Sequence, residues 1–163
     1  MIKSEKLAAE LRTVLSGNAW YGTPVYEMLD TIPFDIAYLR PPGGAHSIAE
    51  ITMHMLNWTE EAISRMQGNK AGMPENGNWP NAGAADEQRW SKLLTRYKLI
   101  NAEFGRVIQA FPDGNWDALT NDDRDEPSTG GNYEELVHGL IQHHVYHAGQ
   151  IGIIKRMLNG SQV

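Results

Sequence analysis

Three histidines lie within five residues near the end of the chain, in the segment IQHHVYHAGQI (141–151). The chain has 163 residues and six histidines, so half of its imidazoles are concentrated in this segment. His143 and His147 are four residues apart, a spacing that places two side chains on the same face of an α-helix on successive turns. Two neutral imidazoles in this arrangement are suited to bind one divalent transition metal.

The segment that carries these histidines has the apolar periodicity of a long helix over 132–158. At about 100° per residue, His147 lies near the middle of the apolar stripe, with His143 towards one edge and His144 towards the other. The stripe itself is formed by Leu136, Leu140, Ile151, Ile154 and Leu158. The histidines therefore face the predicted core rather than solvent.

A third metal ligand is expected from another helix. In the amphipathic segment 47–67, His54 lies at the edge of the apolar stripe. The predicted triad is therefore His54, His143 and His147. Three imidazoles suit Zn, Ni, Fe or Cu better than Mg or Ca, and we expect Zn or Ni, with Fe as an alternative. Three protein ligands leave a coordination position open for water or substrate, as in reactive sites.

Two other interpretations of these histidines remain. A histidine on an apolar face is often a buried, hydrogen-bonded core residue, and two at this spacing arise by chance. Paired helical histidines also occur in zinc proteases, where a glutamate that acts as general base directly follows the first histidine. That position holds His144 here, so the sequence disfavours a protease.

The helical periodicity along the chain predicts an all-α protein. Four segments show it: 4–16, 47–67, 85–110 and 132–158. A shorter helix around 20–30 is possible. No segment alternates with a period of two, so we expect a four-helix bundle that forms a single domain over 1–163. The connections are long, at 31–46, 68–84 and 111–131, and loops of this length are often functional.

Composition excludes several classes of function. The net charge is −6 and the 14 Lys and Arg residues are scattered, which argues against nucleic acid and anionic membrane as partners. The absence of cysteine excludes disulfides, thiolate ligands and a cysteine nucleophile, and fits a reducing compartment. With no membrane-spanning stretch and no secretory signal, we expect a cytoplasmic protein. The acidic run 121–126 predicts a solvated loop, since it lacks the spacing of an EF-hand.

Two motifs resemble those of the DinB/YfiT-like family of metal-dependent enzymes. HSIAEITMHMLNWTEE (46–61) is similar to the second-helix pattern of that family, and HHVYHAGQI (143–151) is similar to its last-helix signature. The stretch GNAWYGTPVYEML (17–29) resembles a segment of one branch. The resemblance implies a four-helix bundle whose metal ligands are His54, His143 and His147. It also implies homodimers and, among characterised relatives, transferases and isomerases that use a low-molecular-weight thiol such as bacillithiol or mycothiol.

Two positions depart from the family pattern. His46 stands where the family commonly has Trp, and His144 stands where it often has Asp. If the residue at 144 orients a ligand through a hydrogen bond, His144 must do so with a different geometry. Further candidates for a catalytic role are Glu50, one turn before His54, and Gln150, one turn beyond His147. Glu50 also has the spacing to complete a helix cap with Ser47.

The predicted function is a metal-dependent transferase or hydrolase that acts on a small electrophile. The metal would bind a thiol or water and lower its pKa, giving a nucleophile at neutral pH. Thiol-dependent S-transfer or isomerisation is one form of this chemistry, with the thiol as a cosubstrate. The alternative is a non-catalytic stress protein that binds a metal or a small ligand. Around the site, Trp58 and Trp79 are candidates for cavity walls, and Tyr146 is interpreted as a packing residue.

Overall fold

Helices make up the regular structure of the protein. The computed structural model describes residues 2–124 and 131–160. Its α-helices are α1 (Lys3–Ser16), α2 (Val25–Asp30), α3 (Phe34–Ala37), α4 (Ile48–Met66), α5 (Glu87–Ala110) and α6 (Tyr133–Gly160), with a 3-10 turn at Asp113–Asn115. The described ranges contain no strand, and Leu119 and Asn132 form an isolated bridge. The all-α prediction is confirmed.

The four long helices pack in pairs. α4 packs against α5 and α6, and α1 packs against α5 and α6, which is the neighbour pattern expected within a four-helix bundle. Buried side chains from all six helices form one apolar cluster. Each long helix begins and ends within two residues of its predicted bounds, the precision with which helix ends are defined. Because α4 and α6 are neighbours, their histidine-bearing faces meet.

The segment between α1 and α4 contains more helix than its sequence pattern indicates. The possible helix around 20–30 is present as the shorter α2, but α3 lies inside the stretch 31–46 that was predicted as a loop. Both helices follow a proline, Pro24 or Pro33, whose fixed φ favours helix initiation. The four residues of α3 are too few to show apolar periodicity, so its sequence gives no signal.

α4 begins with the capping box that its sequence predicts. The N–H of Glu50 donates to Oγ of Ser47 at 3.2 Å, and the N–H of Ser47 donates to Oε2 of Glu50 at 2.9 Å. These bonds satisfy donors that the first turn of a helix leaves unpaired. The start of α4 is thereby fixed about two turns before His54.

In the described part of the chain, no helix is both long enough and apolar enough to cross a bilayer.

Candidate metal centre

Three imidazole rings converge between α4 and α6. His54 lies on α4, and His143 and His147 lie on successive turns of α6. Nε2 of His143 is 2.9 Å from Nε2 of His54 and 2.9 Å from Nε2 of His147. One ring nitrogen from each residue lies within 4.8 Å of the others. The structure therefore brings together all three side chains of the predicted triad.

The tautomer of His54 is set by a main-chain oxygen. Nδ1 of His54 lies 2.7 Å from the carbonyl oxygen of Asn78. A carbonyl oxygen only accepts hydrogen bonds, so Nδ1 carries the proton and the lone pair is on Nε2. A partner of this kind orients the ring of a metal-binding histidine.

Beside this carbonyl, two side chains of α4 donate hydrogen bonds to the loop between α4 and α5. Nδ2 of Asn57 donates to the oxygen of Gly77 at 2.9 Å, and Nε1 of Trp58 donates to Oδ1 of Asn78 at 2.8 Å. Gly77 has a φ of 85°, in the left-handed region where glycine is favoured. This turn places the Asn78 carbonyl against His54.

The tautomer of His147 is set by a side chain. Nδ1 of His147 donates to Oε1 of Gln150 at 2.6 Å, and Nε2 of Gln150 donates to the hydroxyl of Tyr146 at 3.0 Å. The proton is therefore on Nδ1 of His147, and the lone pair on Nε2 points towards His143. The interpretation of Tyr146 as a packing residue is wrong, because the side chain is 63% exposed. It lies on the outer face of α6, where its hydroxyl holds Gln150.

The three converging Nε2 atoms cannot all be paired by hydrogen bonds, because they have more lone pairs than protons. His54 and His147 each direct an Nε2 lone pair at Nε2 of His143, which in a neutral ring carries at most one proton. The other ring nitrogen of His143, Nδ1, is buried and has no hydrogen-bond partner among the described residues. A single cation at the centre would satisfy all three Nε2 atoms. The donor set therefore fits a divalent transition metal that prefers imidazole ligands.

Burial keeps these imidazoles uncharged. Desolvation lowers the pKa of His143 to about 2, and the neighbouring imidazoles lower it further in the same direction. Desolvation also lowers the pKa of His147 to about 4, against the opposing effect of the Gln150 hydrogen bond. The pKa of His54 is lowered by burial as well. Neutral imidazole is the form that binds a metal, so no proton has to leave at neutral pH.

An indole ring restrains His54 from the side. Trp79 stacks on His54 with ring centroids 3.8 Å apart and planes within 4° of parallel. The ring of His46 stacks on the same indole, also at 3.8 Å. This stack limits rotation of His54 and adds to the orientation that the Asn78 carbonyl imposes.

Comparison with protein families agrees with this geometry. The family model of the DinB superfamily matches residues 25–151, a range that includes His54, His143 and His147. The chain belongs to the DinB superfamily. The resemblance seen in the two histidine motifs is thereby confirmed. Comparisons with curated proteins and with solved structures gave no match.

A cavity of about 700 Å³ adjoins the triad of this DinB-superfamily protein. His54, His143 and Trp58 form part of its wall. The volume is in the range of small-molecule sites. Trp58 is therefore more than a core residue, since its indole lines the cavity while its N–H fixes Asn78.

The three candidate catalytic residues all have other partners in the structure. Glu50 completes the cap of α4 and forms an ion pair with Arg40. Burial alone would raise the pKa of Glu50, but Arg40 and the Ser47 N–H hold it below its usual value. His144 is fully buried beside Tyr97, and Gln150 orients His147. A catalytic role for any of them stays a prediction.

Several residues around the site had no signal in the sequence. Asn78 contacts His54 through its main-chain carbonyl oxygen. Because every residue has such a carbonyl, the residue type at position 78 does not reveal the contact. Asp122 lies in the run 121–126 that was predicted as a solvated loop, yet its side chain is only 2% exposed. Its carboxylate accepts two bonds from Arg124, at 2.8 and 2.6 Å, which explains how the charge is buried. Residues 125 and 126 of this run lie outside the described residues.

Proposed function

We propose that this protein binds Zn or Ni, with Fe as an alternative, through Nε2 of His54, His143 and His147. It uses the ion in a transferase or hydrolase reaction on a small electrophile, with a low-molecular-weight thiol as a cosubstrate. The observation that supports this proposal is the convergence of three Nε2 atoms, two of them with lone pairs fixed by Asn78 and Gln150. When bound, the ion supplies Lewis acidity, which lowers the pKa of a thiol or water.

The protein's own residues perform the positioning. The Asn78 carbonyl and the Gln150 side-chain oxygen hold the protons of His54 and His147 on Nδ1, which leaves both Nε2 lone pairs free to bind the ion. Trp79 restrains the ring of His54 by stacking but does not line the cavity, whereas Trp58 forms part of the cavity wall on the α4 side. Because the cavity wall includes His54 and His143, a molecule in the cavity would reach the ion directly.

The adjoining cavity supports an active site over a remnant. In a remnant, side chains would fill the space next to the triad, whereas about 700 Å³ is open here. A non-catalytic metal- or ligand-binding protein is the second candidate. It is supported by the engagement of Glu50 and His144 in other contacts, which would have to break before either could act as a general base.

The first experiment is a measurement of metal content on untagged protein by inductively coupled plasma mass spectrometry. We expect near-stoichiometric Zn, Ni or Fe in the wild type and almost none in His143→Ala/His147→Ala. His138→Ala is the matched control, since His138 lies on the same helix and contacts Glu10 instead of the triad. Absence of metal in the wild type after reconstitution with Zn and Ni at neutral pH would contradict the proposal.

A second measurement separates the two candidates. Metal-loaded protein is assayed for transfer of a thiol to a panel of small electrophiles, with His143→Ala/His147→Ala as the blank. Metal-dependent turnover supports an enzyme, and stoichiometric metal binding without turnover on any thiol supports the binding protein. The single domain over 1–163, the homodimer and the cytoplasmic location stay predictions.

A further inference from the structure

The cavity beside the triad is elongated. On α4 its wall is formed by one helix face, namely His54, Trp58, Ala62 and Arg65. At 1.5 Å per residue, His54 and Arg65 are about 16 Å apart along the helix axis. On α6, Glu135 and His143 both line the cavity and are about 12 Å apart by the same measure. The triad therefore stands at one end, and Arg65 and Glu135 stand at the other.

The middle of the cavity is apolar and contains space that a glycine leaves open. Trp58, Ala62, Leu136 and Leu140 line it together with Gly139. A Cβ added at Gly139 would meet no heavy atom within 4 Å. Glycine within a helix is destabilising relative to alanine, and here it leaves open space in the cavity wall. An alkyl chain fits such a passage.

The far end of the cavity is polar, and the guanidinium group that lines it, that of Arg65, already has partners. Arg65 donates to Oε1 of Glu61 and to the oxygen of Gly72, both at 3.0 Å. Asp122 also lines this end, and its carboxylate accepts two hydrogen bonds from Arg124. An anionic ligand would have to displace a partner of Arg65, so this end of the cavity does not favour an anion.

The carboxylate of Glu135 differs from those neighbours. Its Oε2 accepts the N–H of Asn132 at 3.0 Å, and within residues 2–124 and 131–160 no Lys, Arg or His forms an ion pair with it. Glu135 is exposed and lines the cavity. The far end therefore carries a negative charge that is available to a ligand.

We propose that this cavity binds an elongated molecule with a thiol at the triad end, an aliphatic middle beside Gly139 and an ammonium group at Glu135. The placement of the thiol depends on the proposed metal function. The placements of the aliphatic middle and of the ammonium group depend only on the residues that line the cavity. The substrate class is thus a long-chain amino-thiol. The positive charge at the end opposite the thiol distinguishes it from other thiols.

The test uses three probes that differ only in the tail: 8-aminooctane-1-thiol, 8-mercaptooctan-1-ol and 8-mercaptooctanoic acid. Dissociation constants are measured by calorimetry on metal-loaded protein. We expect the amine to bind about fivefold more tightly than the alcohol, as for one partly exposed ion pair, and the acid to bind most weakly. Glu135→Gln keeps the capping geometry and should remove the preference for the amine.

Gly139→Leu tests the passage, with Gly149→Leu as its matched control. Both glycines lie on α6 with open space at Cβ, but only Gly139 is part of the cavity wall. We expect Gly139→Leu to weaken binding of all three probes by about tenfold or more, as for blocking a buried apolar contact. Its metal content should equal that of Gly149→Leu. Equal affinity for the three tails, or equal binding by the two variants, would overturn the inference.

A metal-independent arm separates failure of this inference from failure of the proposed function. Octylamine is titrated into metal-free wild type, Gly139→Leu and Glu135→Gln. If the wild type binds octylamine more tightly than both variants but takes up no metal, the cavity proposal stands and the metal proposal fails. If the wild type takes up metal but octylamine binds all three proteins equally, only the cavity proposal fails.

Discussion

His143 and His144 are neighbours in the chain, yet they belong to two different regions of the molecule. His143 meets two other imidazoles between α4 and α6, with both Nε2 distances at 2.9 Å. His144 is fully buried, and its Nδ1 is hydrogen bonded to the hydroxyl of Tyr97 on α5 at 3.0 Å. A rotation of about 100° around the helix axis separates the two side chains. One residue step therefore changes the helix that an imidazole faces.

The comparison shows that burial alone does not define a metal ligand. Desolvation lowers the pKa of His143 to about 2 and of His144 to about 3, so both rings are neutral. The partners differ. The Tyr97 hydroxyl is able to donate or accept, so it satisfies Nδ1 of His144 without an ion. The partners of His143 are the Nε2 lone pairs of His54 and His147. Only a cation bound between the three rings would satisfy all of these nitrogens at once.

The largest expected difference between the regions is in metal affinity. His143→Ala removes a ligand and should weaken Zn binding by more than about 100-fold, since even residues that only orient ligands affect affinity by about 10- to 100-fold. His144→Gln removes an imidazole that faces Tyr97 and should leave Zn stoichiometry unchanged. Competition titrations with a chelating dye measure both. Equal losses in the two variants would show that His144 belongs to the metal centre.

A smaller effect is expected from Gln150, which acts on His147 from outside the triad. Gln150→Leu removes the acceptor for Nδ1–H and should weaken Zn binding by about 10- to 100-fold. Gln150→Glu keeps an acceptor oxygen and should retain tight binding. The same chelator titration measures both variants. If the leucine variant bound Zn like the wild type, the hydrogen bond would have no role in orienting His147.

The pH dependence of stability should reveal His144 in metal-free protein. Its folded pKa of about 3 lies below the ordinary value of 6.5, so the unfolded chain takes up a proton that the folded chain rejects. Stability is therefore complete above pH 6.5 and falls as the pH drops towards 3, by about 1.4 kcal/mol per pH unit for one histidine. Urea unfolding at pH 5 and pH 7 should show a smaller difference for His144→Gln than for the wild type. An unchanged difference would contradict the assigned burial.

The smallest effect is expected from the partner of His144. Tyr97→Phe leaves a buried ring nitrogen without its hydrogen bond and should lower the free energy of unfolding by about 1–2 kcal/mol. Zn affinity should stay at the wild-type value, since Tyr97 contacts no member of the triad. Urea unfolding and the chelator titration test the two halves of this statement. A loss of metal affinity in this variant would mean that the two regions are coupled.

The sequence predicts the long helices and the residues on their apolar faces, because these features depend on the spacing of apolar residues along the chain. Four long amphipathic segments become α1, α4, α5 and α6, because burial of an apolar stripe determines where a helix of several turns forms. The triad follows from the same rule, since His143 and His147 share a face and His54 lies beside an apolar stripe. The cap formed by Ser47 and Glu50 is likewise local in sequence.

Contacts that depend on the chain path have no such signal. The carbonyl of Asn78 orients His54 although 24 residues separate them, and no side-chain type marks a carbonyl for this use. Asp122 is part of an acidic run that looks solvated, but Arg124 and the cavity wall bury it. α3 is a single turn, shorter than the period that would identify it. Tertiary contacts decide each of these features, so sequence patterning alone misses them.

The stack of Trp79 on His54 would make a metal ion bound at the triad visible by fluorescence. An indole whose ring centroid is 3.8 Å from that of a ligand is close enough for a bound paramagnetic ion such as Cu²⁺ or Ni²⁺ to quench its emission, whereas Zn²⁺ would leave it bright. Subtracting the response of Trp79→Phe isolates this signal from the other four tryptophans. Trp79 would therefore report, by its emission, which ion the triad binds and how fast that ion exchanges.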